Sequence, residues 1–174
     1  AWVLDQGSGN LQDQKGILGI RDLGEGVVGY PDNTQNNLYS SVVGLGPDIR
    51  DVNTAYNAIK GKSLPNANGT PETYVDGEQF IFNRKARKLT QNEFTFNPQL
   101  GYMSLNQRLN DNQLLAVSYS FTLNGDNKVY KVGEFSEESP VLITKVLKPN
   151  STVKTTSPMW DLMMKNIYPL NTNQ

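Results

Sequence analysis

From Glu72 to Leu147 apolar and polar residues alternate with a period of two in short runs: Glu72–Val75, Gln79–Asn83, Glu93–Asn97, Gly101–Leu105, Leu114–Thr122, Lys128–Val132 and Val141–Leu147. The runs are rich in Val, Ile, Tyr, Phe and Thr and are separated by turn residues, so each predicts a strand. Two connections are explicit. Asn97-Pro98-Gln99-Leu100-Gly101 and Asn124-Gly125 put residues that tolerate positive φ where a hairpin needs them. In the longest run Leu115, Val117, Tyr119 and Phe121 share one face, and Leu114, Ala116, Ser118 and Ser120 share the other, which predicts one core face and one nearly wet face. Seven short strands in succession predict a mainly β fold, an antiparallel β-sandwich.

Outside this ladder the period changes. Asp48 to Lys60 predicts a helix: Pro47 precedes an Asp48 cap, Ile49, Val52, Tyr56 and Ile59 fall on one side, and Gly61 supplies the stop. Residues 1–46 are dense in Gly and Asn, with apolar islands only at Ile17-Leu18-Gly19-Ile20 and Val27-Val28. They hold neither period, and each Gly costs a helix about 1 kcal/mol relative to Ala. They read as an irregular N-terminal arm, leaving 47–174 as the sandwich module.

A second short flanking helix is predicted near 158–168. Ser157 is its N-cap, Pro158 fits the first helical position, Asp161 complements the positive helix start and Pro169 ends it. Met159, Leu162, Met163 and Ile167 line one side, with Trp160 and Met164 beside it. Isolated helices below ~12 residues are marginal, so this one must dock. Packing back on the sheet is the expectation, with docking on a partner as the other outcome.

Composition narrows the function. Hydrophobic residues make up 37% and charged ones 19%, and mean hydropathy is -0.52, so Asn, Gln, Ser and Thr carry much of the polarity. The net charge is -1, and Arg84-Lys85-Ala86-Arg87-Lys88 is the one basic cluster. It is too short for a nucleic-acid footprint. The chain has no Cys and no His, which removes disulfides, thiolate chemistry, His-based triads and the usual zinc ligand. No apolar run approaches the ~20 residues of a spanning helix. Gln113–Leu123 matches the ~9–11 residues of a membrane barrel strand, but its neighbours are too short to continue a wall. Ala1-Trp2-Val3-Leu4-Asp5 carries no signal core, so the chain reads as mature, cytosolic or a fragment, with a fragment favoured.

Several motifs yield to plainer readings. Gly24-Glu25-Gly26-Val27-Val28-Gly29 spells the dinucleotide fingerprint, but Pro31 forbids the helix that must start inside it, leaving a Gly-rich loop. Ser151-Thr152-Val153-Lys154 spells the S-x-x-K of acyl enzymes in a stretch whose β-branched residues favour extended chain. Glu134, Glu137 and Glu138 form a carboxylate group suited to acid/base or calcium chemistry, set against a solvated acidic loop. Asn68-Gly69-Thr70 and Asn150-Ser151-Thr152 fit the glycosylation acceptor, which matters only in a secretory eukaryote. Met163-Met164 beside Trp160 suits core packing better than a thioether copper site, because no His completes the ligand set. No catalytic, cofactor-binding or metal residue is assigned.

The segment Ala86-Arg-Lys-Leu-Thr-Gln-Asn-Glu-Phe-Thr-Phe-Asn-Pro-Gln-Leu-Gly-Tyr-Met-Ser-Leu-Asn-Gln-Arg-Leu109 resembles the SprA (Sov) family. So do Leu115-Ala-Val-Ser-Tyr119, Tyr130-Lys-Val-Gly-Glu-Phe135 and Pro158-Met-Trp-Asp-Leu-Met-Met-Lys-Asn-Ile-Tyr168. The resemblance covers about residues 78–168 as several motifs in one order. Members are very large outer-membrane proteins of Bacteroidetes that serve gliding motility and type IX secretion. The resemblance implies a giant β-barrel translocon that passes folded cargo, of which this chain is one soluble module without the barrel. It implies no catalytic residue and no cofactor. Implied partners are the rest of the barrel, other secretion-system proteins and secreted cargo, in the cell envelope at the outer membrane, with the extracellular face favoured over the periplasmic. Contact candidates are Trp2, Trp160, Met163, Met164, Ile167 and Tyr168. The alternatives are a carbohydrate-binding sandwich, marked by an aromatic platform, and a hydrolase with paired carboxylates, marked by a cleft with two facing acids.

Overall fold

The computed structural model describes residues 1–4, 14–26, 28–35, 37–135, 139–149, 152–155 and 157–162. Its strands are β1 (Trp2–Leu4), β2 (Gln14–Ile20), β3 (Ser63–Pro65), β4 (Pro71–Thr73), β5 (Phe80–Lys88), β6 (Phe94–Asn97), β7 (Tyr102–Leu105), β8 (Leu114–Val117), β9 (Tyr119–Thr122), β10 (Val129–Val132) and β11 (Val141–Lys148). Two short helices, α1 (Asn37–Val43) and α2 (Ala55–Ile59), and 3-10 turns at Asn33–Gln35, Pro47–Arg50 and Pro158–Leu162 complete the elements.

The fold is mainly β with two short helices, of which only α2 lies where a helix was expected, and the sheets are not those of a seven-strand sandwich. Five strands close a barrel in the order β1-β5-β2-β11-β8, and β3-β4, β6-β7 and β9-β10 are separate two-stranded sheets. The pairs around the barrel are antiparallel except for β2 with β11, which run parallel with Ile17 opposite Leu142 and Gly19 opposite Thr144. A parallel pair needs a long crossover. Everything between residues 20 and 141 supplies it, which a reading of sequential hairpins does not foresee.

Side-chain alternation gives the barrel an inside. Trp2, Ile17, Ile81, Ala86, Leu114, Ala116 and Leu142 form one cluster to which every barrel strand contributes. Interior and exterior residues alternate along barrel strands, so these fill the lumen. Gly19 shares this face: a Cβ there would lie 2.7 Å from Val146 Cγ2. Facing outward, Leu18, Ile20, Phe80, Val141 and Ile143 pack under Leu38 and Val42 of α1, Ile49, Ala55 and Ile59, Leu64 and Tyr74 of the β3-β4 region, and Val132 of β10. A third cluster of Val3, Leu89 and Leu115 seats the β6-β7 hairpin through Phe94, Met103 and Leu105.

Three further expectations change. Of the stretch read as an irregular arm, Trp2–Leu4 and Gln14–Ile20 are barrel strands and Asn37–Val43 is a helix. The helix expected over 48–60 is split: Pro47–Arg50 forms a 3-10 turn and α2 starts only at Ala55. Between them Asp51 Oδ1 accepts from Asn53 N at 2.7 Å and Thr54 Oγ1 donates to Asp48 O at 2.7 Å, the side-chain competition that makes such residues poor in helix interiors. The long run Leu114–Thr122 breaks at Ser118, where the chain leaves the barrel ladder for the β9-β10 pair. Val117 is buried and Tyr119 packs beside the outer core, as the alternation predicts for both, but the face expected to be nearly wet is buried at Leu114 and Ala116, because it lines the barrel lumen.

Candidate functional site

The barrel has an occupied end. Where β2 passes into Arg21, β5 begins and β11 reaches Val146, a cavity of about 260 Å³ opens between the strand ends and the returning segment after β11. Ile81 and Val146 form its floor, Gly77 to Phe80 one rim, and Pro149, Thr152, Val153, Lys154, Ser157 and Met159 the other. Met159 is 1% exposed. Its backbone N donates to Ser157 Oγ at 3.3 Å, the N-cap expected from the Ser-Pro pair. The first turn of the apolar C-terminal segment therefore packs back on the body, while Leu162 stays 40% exposed.

Arg21 at this cavity is already engaged. Its Nε and Nη2 donate to Asp22 Oδ1 and Oδ2 at 2.9 and 3.0 Å, and Nη1 donates to Glu78 O at 3.1 Å. The hydrogen bond to Asp22 is the main cause of its raised pKa. Ser157 and Lys154 line the same cavity, joined by a backbone bond from Ser157 N to Lys154 O at 3.0 Å. A nucleophile needs a base within hydrogen-bond reach of its hydroxyl. The Ser157 Oγ contact is instead the cap.

Two other polar groups sit outside the barrel. Lys145, 2% exposed, donates to Leu23 O at 2.8 Å and to Glu25. Burial lowers its pKa and Glu25 opposes that shift. Glu25 thus belongs to the Gly-rich stretch that spells the dinucleotide motif, which the structure uses as a loop. Gly26 lies at φ 67, and a Cβ there would fall 2.0 Å from Ala67 O, so the loop lies directly on the β3-β4 turn.

Glu134, the described member of the expected carboxylate group, accepts from both terminal nitrogens of Arg50, from Tyr39 OH at 2.8 Å and from Ile143 N at 2.9 Å. Burial and this carboxylate push the Tyr39 phenol up to about 12. The carboxylate is a clasp between α1, the 47–50 turn and β11. Glu137, Glu138 and Ser151 lie outside the described residues. Among the described residues no group of three or more His, Cys, Asp or Glu side chains is placed to hold a metal, and no helix is long and apolar enough to cross a membrane.

Aromatic side chains gather on one face of β9-β10. Phe121 stacks on Tyr130 at 5.1 Å and on Tyr119 at 6.3 Å, and Tyr30 meets Phe121 and Tyr130 edge-on at 6.3 and 5.6 Å. Tyr30 is half exposed, whereas Tyr130 is buried beneath it. The rings mostly face one another.

The contact candidates from sequence do not converge. Trp2 is 5% exposed inside the barrel, with Lys88 Nζ 5.8 Å from its ring, so its surface is committed to this chain. Trp160 is half-buried beside Met159. Met163, Met164, Ile167 and Tyr168 lie outside the described residues. Sequence reasoning named the turn of the β6-β7 hairpin as a connection but not as a contact surface, although Phe96 is 56%, Leu100 74% and Tyr102 37% exposed there. Its signal was present as an Asn-Pro turn between apolar residues with no charge in Phe94–Leu105.

No protein-family model matches the chain, and no curated protein matches it.

Proposed function

We propose that the chain is a non-catalytic structural and interaction module of an outer-membrane protein-secretion translocon of the SprA (Sov) type, serving type IX secretion and gliding motility at the cell surface. The reading rests on the linked motifs of residues 78–168. The observation that carries it is how the side chains of this chain are used. The ionisable groups with partners inside the fold, Glu134, Arg50, Lys145 and Arg21, act as clasps between elements, Arg21 through Glu72 and Glu78 O. Large apolar groups of the resembling segment, Phe96, Leu100 and Tyr102, stand in solvent instead. That division suits a part that is held rigid and offers surface, and it gives no general base or nucleophile a role. Its partners are the remaining barrel, other secretion-system proteins or cargo.

Deleting the coding region of the chain in the bacterium that carries it tests the reading. Secreted cargo should disappear from the culture medium and gliding should stop, with cargo still synthesised inside the cell. A full set of secreted proteins in the deletion strain sinks it.

The aromatic group of Tyr30, Phe121 and Tyr130 favours the second reading, a carbohydrate-binding module, because half of Tyr30 is open to a sugar face. Binding to a glycan array that is lost in Tyr30→Ala, with secretion intact in the deletion strain, selects that reading over the first.

A further inference from the structure

The β6-β7 hairpin carries apolar groups away from the body on both of its faces. At its base Phe94, Met103 and Leu105 rest on the Val3, Leu89 and Leu115 cluster. Farther out, Phe96 lies opposite Met103 on the same face, Tyr102 lies opposite Asn97 on the other face, and Leu100 is in the turn. Side chains alternate across a strand, so a flat partner that covers Phe96 leaves Tyr102 in water. A fluid apolar phase covers all three.

The turn backbone is prepared to leave water. Pro98 has no N–H. Gln99 N and Leu100 N donate to Asn97 Oδ1 at 3.1 and 2.9 Å, and Gly101 N donates to Asn97 O at 2.9 Å. Every N–H from Pro98 to Gly101 is thus met inside the turn, which removes the donor share of the penalty of leaving water and leaves the turn carbonyls for the headgroup layer. The strands behind it set a limit. Among the described residues β6 and β7 pair only with each other, so their outer edges hold the hairpin body in water and allow only the tip to immerse.

Charge selects the kind of surface. The hairpin itself carries no charged residue, whereas exposed Arg84, Lys85 and Lys88 lie on the strand leading to it and exposed Arg108 lies just beyond it. Glu93, the one carboxylate in the connecting loop, is bound by Arg87 at 2.8 Å. A neutral apolar tip with exposed basic residues before and after it in the chain complements anionic lipid headgroups over an acyl boundary.

The geometry points to the β6-β7 tip as a shallow anchor on a lipid surface with anionic headgroups. Phe96 and Leu100 enter the acyl boundary, Tyr102 sits at headgroup level, and the basic residues that flank the hairpin in the chain supply the attraction to the anionic surface. The anchor uses the same exposed groups that the translocon reading counts as surface, but it asks only for a lipid surface, so vesicle flotation and the secretion phenotype of the deletion strain can fail separately.

Flotation of the full chain with phosphatidylcholine vesicles, with and without phosphatidylglycerol, tests it. The native chain floats with the anionic vesicles, and Phe96→Ser with Leu100→Ser lowers the bound fraction about tenfold while the melt is retained, since both side chains are exposed. The chain has no Cys, so Leu100→Cys carries a single environment-sensitive dye. That dye should brighten and shift to the blue on anionic vesicles, and the same dye at Asn68→Cys on the β3-β4 turn should not. Absence of flotation, flotation unaffected by the double substitution, or a silent dye at position 100 each overturns the anchor. Self-association that the double substitution abolishes, without vesicle binding, makes the tip a protein-docking surface and overturns it as well.

Discussion

Arg50 grips Glu134 with both terminal nitrogens, one to each carboxylate oxygen, and so fastens the 47–50 turn to the segment that enters β11. Removing Arg50 leaves a carboxylate whose side chain is only 12% exposed without its counter-charge. Arg50→Ala should cost about 2–3 kcal/mol, below the range for fully enclosed pairs because water still reaches the 30% exposed guanidinium. Denaturant unfolding measures it, and a loss under about 0.5 kcal/mol would mean that solvent screens the pair.

Trp2→Ala should cost about 3–5 kcal/mol, because the ring fills the barrel interior among Ile17, Ala86, Leu114 and Leu142. The melt separates this role from that of a contact residue. A partner-binding Trp would leave the midpoint of the isolated chain in place.

Met159 and Leu162 lie one turn apart and should differ sharply. Met159→Ala removes a fully buried side chain at the barrel end and should cost about 2–3 kcal/mol, whereas Leu162→Ala should stay within about 0.5 kcal/mol. Equal effects at the two positions would contradict the packing of this segment.

Glu93 has its pKa lowered to about 2, chiefly by the hydrogen bond from Arg87 and then by that from Thr90 N. A depressed carboxyl binds fewer protons folded than unfolded. Its stabilisation is therefore present above the ordinary value of 4.5 and is lost as the pH falls from there through about 2. The stability gap between the native chain and Glu93→Gln should shrink over that window, and a gap that is constant with pH argues against the Arg87 contact.

Lys145 gives the opposite test at alkaline pH. Its lowered pKa means the folded chain releases that proton first, so this group adds stability as the pH rises between its folded value and the ordinary 10.5. Glu25→Ala removes the carboxylate that opposes the shift. The variant should be less stable at neutral pH, and its deficit should narrow as the pH climbs toward about 10.

The sequence marked β4, β6, β7, β10 and β11 well, because their alternation and their turns are local properties, but only the first half of β5, whose second half is the basic stretch Arg84–Lys88. Asn97 and Gly101 build the turn they predict, and Gly125 takes φ 88. β2 was missed because Gly16 and Gly19 looked like loop residues. They are the close approaches of a barrel wall, since a Cβ on either would meet Val141 or Val146 within 3 Å. α1 hides for a different reason. Its Ser and Val residues are weak helix formers, and burial of Leu38 and Val42 holds it. Nor does periodicity name a strand's partner, so the break at Ser118 and the closing of β11 on β2 left no trace. Of the candidate surface, the hairpin turn was legible as a turn. Its exposure depends on which clusters its base covers, and only the packing reveals that.

The parallel seam between β2 and β11 has a consequence for the order in which the chain is made. Ile17 and Leu18 leave the ribosome well before their partners Leu142 and Ile143, with all of residues 21–140 made in between. Until then one edge of β2 is an open template for any other extended chain. The barrel cannot close stepwise behind the ribosome, so folding waits for β11 and is expected to be slow. The nascent form depends on protection by a holding chaperone or by dilution, and a chain cut short before Val141 should be cleared or aggregate rather than persist as a partial fold.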